Sequence, residues 1–396
     1  MEWPTKKLCD VLDIQNGYAF DSKQFSSEEG MPLIRIRDIS NGLKTVTNYA
    51  GEYKSIYVVR KGDFLIGMDG EFRCYEWKGE DALLNQRVCR LQNFSDELSA
   101  KFLSYGINKY LQDIEDVTGF TTVKHISASQ IKNIEFPIPP IPEQQRIVSI
   151  LDQAFADIEK ARANTEKNLK NVRELFDSYL NQVFSGLSLG SSWPSVRLKS
   201  IVDRLTNGFV GPTRDIYKDS GVPYLLARQV KNNVLKFDGR TYVSDEFNIK
   251  NKKSLLKKGD VLLVQSGHIG HSAVVPAEHE GHNCHAMIVI TPKDELTGDF
   301  LSFYFSFLLF TGRISDIRSG STVPHLTCKL VKELLIPLPP VSEQNSIVEN
   351  IRTLSEQTKQ LEATCENKLK SLDELKKSLL QKAFSGELTK TKDMAA

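Results

Sequence analysis

The sequence predicts an α+β protein in which two mixed α/β domains are joined by two long antiparallel helices, the second half repeating the first. Three observations predict it. "IEFPIPPIPEQQRIVSIL" (134–151) and "LLIPLPPVSEQNSIVENI" (334–351) share seven of eighteen positions at an offset of 200. "LKNVRELFDSYLNQVFSG" (169–186) and "LKSLDELKKSLLQKAFSG" (369–386) share nine of eighteen at the same offset. Between those blocks, small and apolar residues recur at the alternating three- and four-residue steps of a coiled-coil seam.

Composition narrows the class. At 396 residues the chain is too long for one ordinary core. Its 40% apolar and 26% charged residues are those of a soluble globular protein. The most apolar stretch, "FLSFYFSFLLF" (300–310), is too short to span a bilayer, and "MEWPTKKL" lacks a secretory apolar region, so a cytoplasmic location is expected. Cys9, Cys74, Cys89, Cys284, Cys328 and Cys365 show no CxxC spacing, which argues for reduced thiols. The net charge of +1 conceals −3 over residues 1–142 and +5 over 191–340. Bulk charge is too small to drive nucleic-acid binding, which would need local patches or a basic partner.

The repeat extends beyond the opening blocks. Trp3-Pro4 returns as Trp193-Pro194, Asn16-Gly17 as Asn207-Gly208, "KGDFLIGMDG" (61–70) as "KGDVLLVQSG" (258–267), and His125 as His325. The resulting division is a first domain at 1–142, a first long helix at 143–190, a second domain at 191–341, a second long helix at 342–388 and a polar tail at 389–396. The first seam runs Ile147, Leu151, Ala154, Ile158, Ala161, Thr165, Leu169, Val172, Phe176, Tyr179, Val183. The second runs Ile347, Ile351, Leu354, Thr358, Leu361, Cys365, Leu369, Leu372, Lys376, Leu379, Ala383. Lys376 interrupts it, with Leu375 as a substitute. Gly186 and Gly386 are the expected stops. Matching seams predict that the helices pair with each other; the alternative is that each lies on its own domain. If they pair, helix two must return along helix one, giving a two-ended molecule with internal pseudo-two-fold symmetry. Proline fixes φ, so "PIPP" and "PLPP" stiffen the exits.

Each domain reads as mixed α/β. "PLIRIRDI", "GDFLIGM", "QRVCRLQ", "PYLLARQV", "GDVLLVQSG" and "HAMIVITP" are strand-like, and helices follow near 98–113 and 298–311. The loops "QNGYAF", "MDGEFR", "TGFTTVKH", "TNGFVGPTRD", "QSGHIGHS" and "SGSTVPH" combine Gly with hydrogen-bonding side chains. Singly these are solvated turns. At corresponding places in two repeats, their Arg, Asn, Gln and His suit base edges, and their Ser, Thr and Lys suit phosphates.

The order of domain, "PIPPIPEQQRIV", long helix, domain, "PLPPVSEQNSIV", long helix resembles the specificity subunit of type I restriction–modification systems over essentially the whole chain. The resemblance implies that each domain is a target recognition domain reading one half of a split, asymmetric DNA site. It implies that the helices set the gap and dock two modification subunits, which hold S-adenosylmethionine and methylate adenine N6. Restriction subunits with ATP-driven translocation and nuclease activity can join. No cofactor is expected in this chain, and it is expected to be non-catalytic. The residues agree: the only Pro-Pro pairs, Pro139-Pro140 and Pro339-Pro340, follow Ile138 and Leu338 rather than the acidic or Asn residue of an adenine methyltransferase, and no phosphate-binding GxxxxGK[ST] is present.

The candidate DNA-binding residues in the first domain are Asn16, Tyr18, Arg35, Arg37, Glu71, Arg73, Thr122, Lys124 and His125. In the second they are Asn207, Thr213, Arg214, Arg228, Gln265, His268, His271, Thr322 and His325. Five histidines, His268, His271, His279, His282 and His285, cluster with Cys284. Zinc is one reading, and a metal-dependent hydrolase there would be a different function. The spacing is not a standard zinc spacing and the first half has no counterpart, so no metal is expected. A coiled-coil adaptor binding only proteins is the third alternative.

Overall fold

The computed structural model describes residues 3–40, 44–118, 124–185, 193–317 and 325–390. The chain divides into two compact units, Met1–Asn164 with Lys368–Ala396, and Thr165–Asn367. Each unit therefore takes one α/β domain and a length of both long helices.

In the first unit, Thr5–Lys7 pairs antiparallel with Glu135–Pro137, and the Ile138 N–H donates to the Pro4 carbonyl at 2.8 Å. The repeated Trp-Pro and Pro-rich segments are thus the two strands of one ribbon. A four-stranded antiparallel sheet runs Asp13–Asn16, Val88–Gln92, Phe64–Gly67, Cys74–Glu76. A second sheet runs Phe25–Ser26, Asn48–Tyr49, Met31–Ile34, Ala82–Leu84, Val58–Val59, with Met31–Ile34 parallel to Ala82–Leu84. Helix α1 (Ala100–Val117) starts on the Ser99 cap and buries Phe102, Leu103, Ile107 and Leu111 against Ile66 and Phe136. Helix α2 (Ala128–Lys132) leads to the long helix α3 (Ile141–Phe184). Pro142 falls inside the first turn of α3, where the N–H it lacks has no intrahelical partner to lose.

The second unit repeats this plan. Ser195–Arg197 pairs with Leu335–Pro337, and the four-stranded sheet runs Val202–Asn207, Met287–Pro292, Val261–Val264, Ser272–Val274. Val222–Leu225 lies between Tyr242–Val243 and Asn283–Cys284. A hairpin, Val230–Lys231 with Val234–Leu235, and helix α4 (Asp245–Lys250) have no counterpart among the described residues of the first unit. Helix α5 (Gly298–Phe310) is buried along most of its length, and α6 (Cys328–Lys332) leads to the second long helix α7 (Val341–Phe384).

The repeated motifs acquire physical reasons here. In each "KGD" the glycine has positive φ (Gly62 +96°, Gly259 +87°), a conformation that disfavours a Cβ. The aspartate closes the turn, accepting from the Arg60 N–H at 2.9 Å and the Lys257 N–H at 2.8 Å. It also receives an arginine, but from different strands: Arg90 at 3.0 Å from Asp63, and Arg204 on the fully buried Asp260. In each "EQ" the glutamine is wholly buried. Gln144 donates to the Glu97 and Pro139 carbonyls, each at 2.7 Å, and accepts from the Ser99 N–H at 2.8 Å. Gln344 makes the same three bonds to Glu295, Pro339 and Thr297. One side chain thereby ties the Pro-rich exit to the cap of the domain helix.

The two long helices, 44 residues each, pair antiparallel. In the first unit Glu159 meets Lys376 at 3.3 Å and Arg162 meets Asp373, partner numbers falling as α3 numbers rise. In the second unit Arg173 meets Glu362 at 3.4 Å. Of the seam residues, Ile147, Leu151 and Ala383 are buried in the core of the first unit and Val183, Ile347 and Ile351 in that of the second, while Ile158, Thr165 and Thr358 are buried outside those cores. The ends are anchored by aromatics. Phe384 lies 5.0 Å from Phe102 and 5.9 Å from Phe136 in the first unit, and Phe184 lies 5.3 Å from Phe300 in the second.

Three expectations need correcting. Leu361 is 49% exposed, and it is the next residue, Glu362, that meets Arg173 on α3. Leu375 is 47% exposed and does not replace Lys376, which lies over the Phe155 ring and pairs with Glu159. "PLIRIRDI" and "PYLLARQV" stop being strands halfway. Asp38 and Gln229 accept from the Arg35 and Leu226 N–H groups at 2.9 and 3.0 Å, folding each segment into a 3-10 turn. Gly186 lies outside the described residues.

Candidate nucleic-acid interface

In the first unit two loops converge. The Ile126 N–H donates to the Met68 carbonyl at 2.9 Å, and the Gly70 N–H to the Lys124 carbonyl at 3.0 Å. This places "KHI" beside "MDG". His125 Nδ1 is 2.6 Å from Asp69 Oδ1, which leaves Nε2 for an outside partner. Arg87 joins them, its Nε 3.6 Å from Asp69 Oδ2 and its Nη1 3.5 Å from His125 Nδ1. Arg87 has φ +72°, and its side chain is 56% exposed. It sits at the turn into strand Val88–Gln92, with its carbonyl accepting from the Met68 N–H at 2.9 Å. A planar donor fork held beside an oriented imidazole is chemistry that suits a purine edge.

Other candidates divide by what already holds them. Arg73 bonds to Phe72 O at 2.7 Å, Glu115 at 3.1 Å and Gln112 at 2.6 Å. Lys124 donates to Glu115 O at 3.0 Å. Both tie their loops to the end of α1, so each cation also positions its loop. Arg35 is half-buried, with its guanidinium 6.0 Å from the Phe25 ring. Arg37 and Glu71 are exposed. Asn16 ends its strand, exposed. Tyr18 is half exposed and stacks with Phe20 and Tyr57 at 5.2 and 5.1 Å. Between Asn16 and Tyr18, a Cβ on Gly17 would sit 1.9 Å from the Asn85 carbonyl, so only glycine permits this approach. Thr122 lies outside the described residues.

In the second unit the Leu326 N–H donates to the Gln265 carbonyl at 2.9 Å, repeating the convergence. Gln265 is half-buried, and His268 and His325 are exposed. The His268 and His271 rings are 6.2 Å apart. Burial, and then the nearby His268 and Lys231, depress the His271 pKa, favouring its neutral form. Asn207 ends its strand and accepts from Cys328 Sγ at 3.1 Å. Arg214 is exposed and Thr213 half-buried. Arg228 bonds to Asp238 at 2.9 Å and Thr241 at 3.2 Å. Thr322 lies outside the described residues. His279 and His282 face each other, Nδ1 to Nδ1 at 3.3 Å. Among the described residues no three His, Cys, Asp or Glu side chains gather as a metal site.

Sequence reasoning missed Arg87, which reads as part of a strand. Asn85-Gln86-Arg87 falls in the sequence about where the last histidines of the second half do, and the structure makes a matched pair there: Asn85 bridges to Tyr18 in the first unit, and His285 to Phe209 in the second, with the same parallel geometry. Asn85 Oδ1 and His285 Nδ1 are both buried with no hydrogen-bond partner among the described residues.

The type I restriction modification DNA specificity domain matches residues 1–167 and again 190–371. The chain belongs to that family. Specificity subunits of this kind are non-catalytic DNA-recognition proteins. The chain is 29% identical over 414 residues to the type I restriction enzyme EcoBI specificity subunit of Escherichia coli, covering 98% of this chain and 86% of that one. It is 22% identical over 423 residues to the EcoKI specificity subunit of Escherichia coli K12, covering 98% and 89%. Its fold is similar to the HsdS subunit from Thermoanaerobacter tengcongensis (TM-score 0.63, 19% identity, 98% and 97% covered). It is also similar to a chain solved in work on complex assembly and conformational transition of the type I R-M system (TM-score 0.73, 21% identity, 98% of each chain covered).

Proposed function

We propose that this specificity subunit reads a bipartite, asymmetric DNA site, one half with each recognition domain. The observation that carries the reading is a repeated scaffold bearing unlike loop surfaces. Asp69, Arg87 and His125 form the first reading cluster. His268, His271 and His325, with Asn207 and Arg214, are the readers of the second. Exposed Arg37 and Tyr18 supply phosphate and stacking contacts.

The helix pair sets the gap between half-sites and docks two modification subunits, whose S-adenosylmethionine supplies the methyl group for adenine N6. Restriction subunits can join the same assembly, and the expected location is the cytoplasm. The chain's net charge of +1 supports a reader whose partners contribute much of the phosphate neutralisation. No described helix is long and apolar enough to cross a membrane.

The test is selection from a randomised duplex pool by the chain co-purified with its modification subunit. The expected outcome is two unrelated short motifs at a fixed separation. A single contiguous motif, or no enrichment, would contradict the reading.

A further inference from the structure

At a few positions of the long helices the repeat keeps a charge but inverts its sign, while others such as Glu166 and Glu366 keep both. Position 162 is Arg and its mate 362 is Glu; position 173 is Arg and its mate 373 is Asp. These four residues make two contacts related by the repeat. Arg162 pairs with Asp373 in the first unit, and Arg173 with Glu362 at 3.4 Å and Glu366 at 3.7 Å in the second. At both crossings α3 supplies the arginine and α7 the acid.

We propose that this arrangement is a pairing code that selects α7 as the partner of α3 and rejects a second α3 or a second α7. Seam spacing alone does not make that choice, because its steps are the same in both helices. Two α3 helices paired antiparallel in the same register would set Arg162 against Arg173 twice. Two α7 helices would set Glu362 against Asp373 twice, and Lys359 against Lys376. Flanking charges commonly decide partners in coiled coils, as much by penalising wrong pairs as by rewarding right ones. The same inversion recurs where each domain helix meets its long helix. Lys101 pairs with Asp152 at 2.7 Å, whereas Asp299 pairs with Arg352 at 2.7 Å. A chain with two unlike domains is thereby directed to close on its own second helix rather than to assemble as like halves.

The full-length chain tests this without fragments. E362R/D373R places in the native pair the charges of an α3–α3 encounter, and R162E/R173E places those of an α7–α7 encounter. Each double variant is expected to melt roughly 5 °C below the parent at low salt, with the gap closing in 1 M salt. The quadruple R162E/R173E/E362R/D373R restores opposite charges at both crossings and is expected to recover most of the loss. If either double variant melts with the parent, or the quadruple melts no higher than the doubles, the code is overturned. If a double variant does not fold, a folded quadruple still supports the code and an unfolded one rejects it.

Discussion

Gln144 and Gln344 bond to equivalent backbone atoms in the two halves, whereas Arg87 and Ala286, both at positive φ where the loop enters the next sheet strand, share nothing beyond backbone. The first pair holds the Pro-rich exit to the domain helix, a task identical at both ends. The second lies at the candidate reading loops, where the two halves carry unlike side chains. Between the halves the atoms that build the frame are kept, and the loop side chains differ. The two "KGD" aspartates show the intermediate case: the turn is kept, while its arginine comes from strand Val88–Gln92 in one half and Val202–Asn207 in the other.

The comparison can be broken first at the frame. Phe384→Ala opens a space beside Phe102 and Phe136 and is expected to cost about 3–5 kcal/mol. Hydrogen exchange should speed up in the first unit with little change in the second, and Phe184→Ala should do the reverse. Gln144→Leu strands two carbonyls and one N–H around α1, at about 2–3 kcal/mol. Gln344→Leu should match it in thermal unfolding, since its bonds are the same.

The reading surface should behave in the opposite way. Arg87→Ala is expected to leave the melting temperature unchanged and to cost about 1–3 kcal/mol of binding. That loss should fall on one half-site only in a competition series. Equal weakening of every sequence would reassign Arg87 to phosphate.

The smallest effect concerns acid stability. Burial, reinforced at His282 by the neighbouring imidazole, holds the pKa values of His279 and His282 below the ordinary 6.5. The folded state then favours neutral rings. Their stabilisation is complete above the unfolded value and is lost as pH falls through the folded values. Replacing both with Gln should flatten the decline in melting temperature below about pH 6.5. The first unit has no such pair.

Much of the frame was legible in the sequence because register-locked identity and heptad spacing are local patterns. Gln144 was visible as a repeated letter, but its clamp was not, because its partners are backbone atoms of residues 97–99 and 139. Leu361 fits the heptad yet is exposed, and its neighbour Glu362 is the residue that meets α3. Arg73 and Lys124 are candidate DNA contacts in Gly-rich loops, and only the fold shows that both also reach Glu115. Arg87 was hidden because its neighbours alternate like a strand, whereas its φ follows from the turn made after Asn85.

The most direct test of two independent readers on one frame is to co-express the full chain with its modification subunit and sequence the methylated adenines. The account predicts a split, asymmetric motif with one methylated adenine per half, and Arg87→Ala should relax one half while leaving the other intact. A palindromic motif, or relaxation of both halves by that single change, would contradict it.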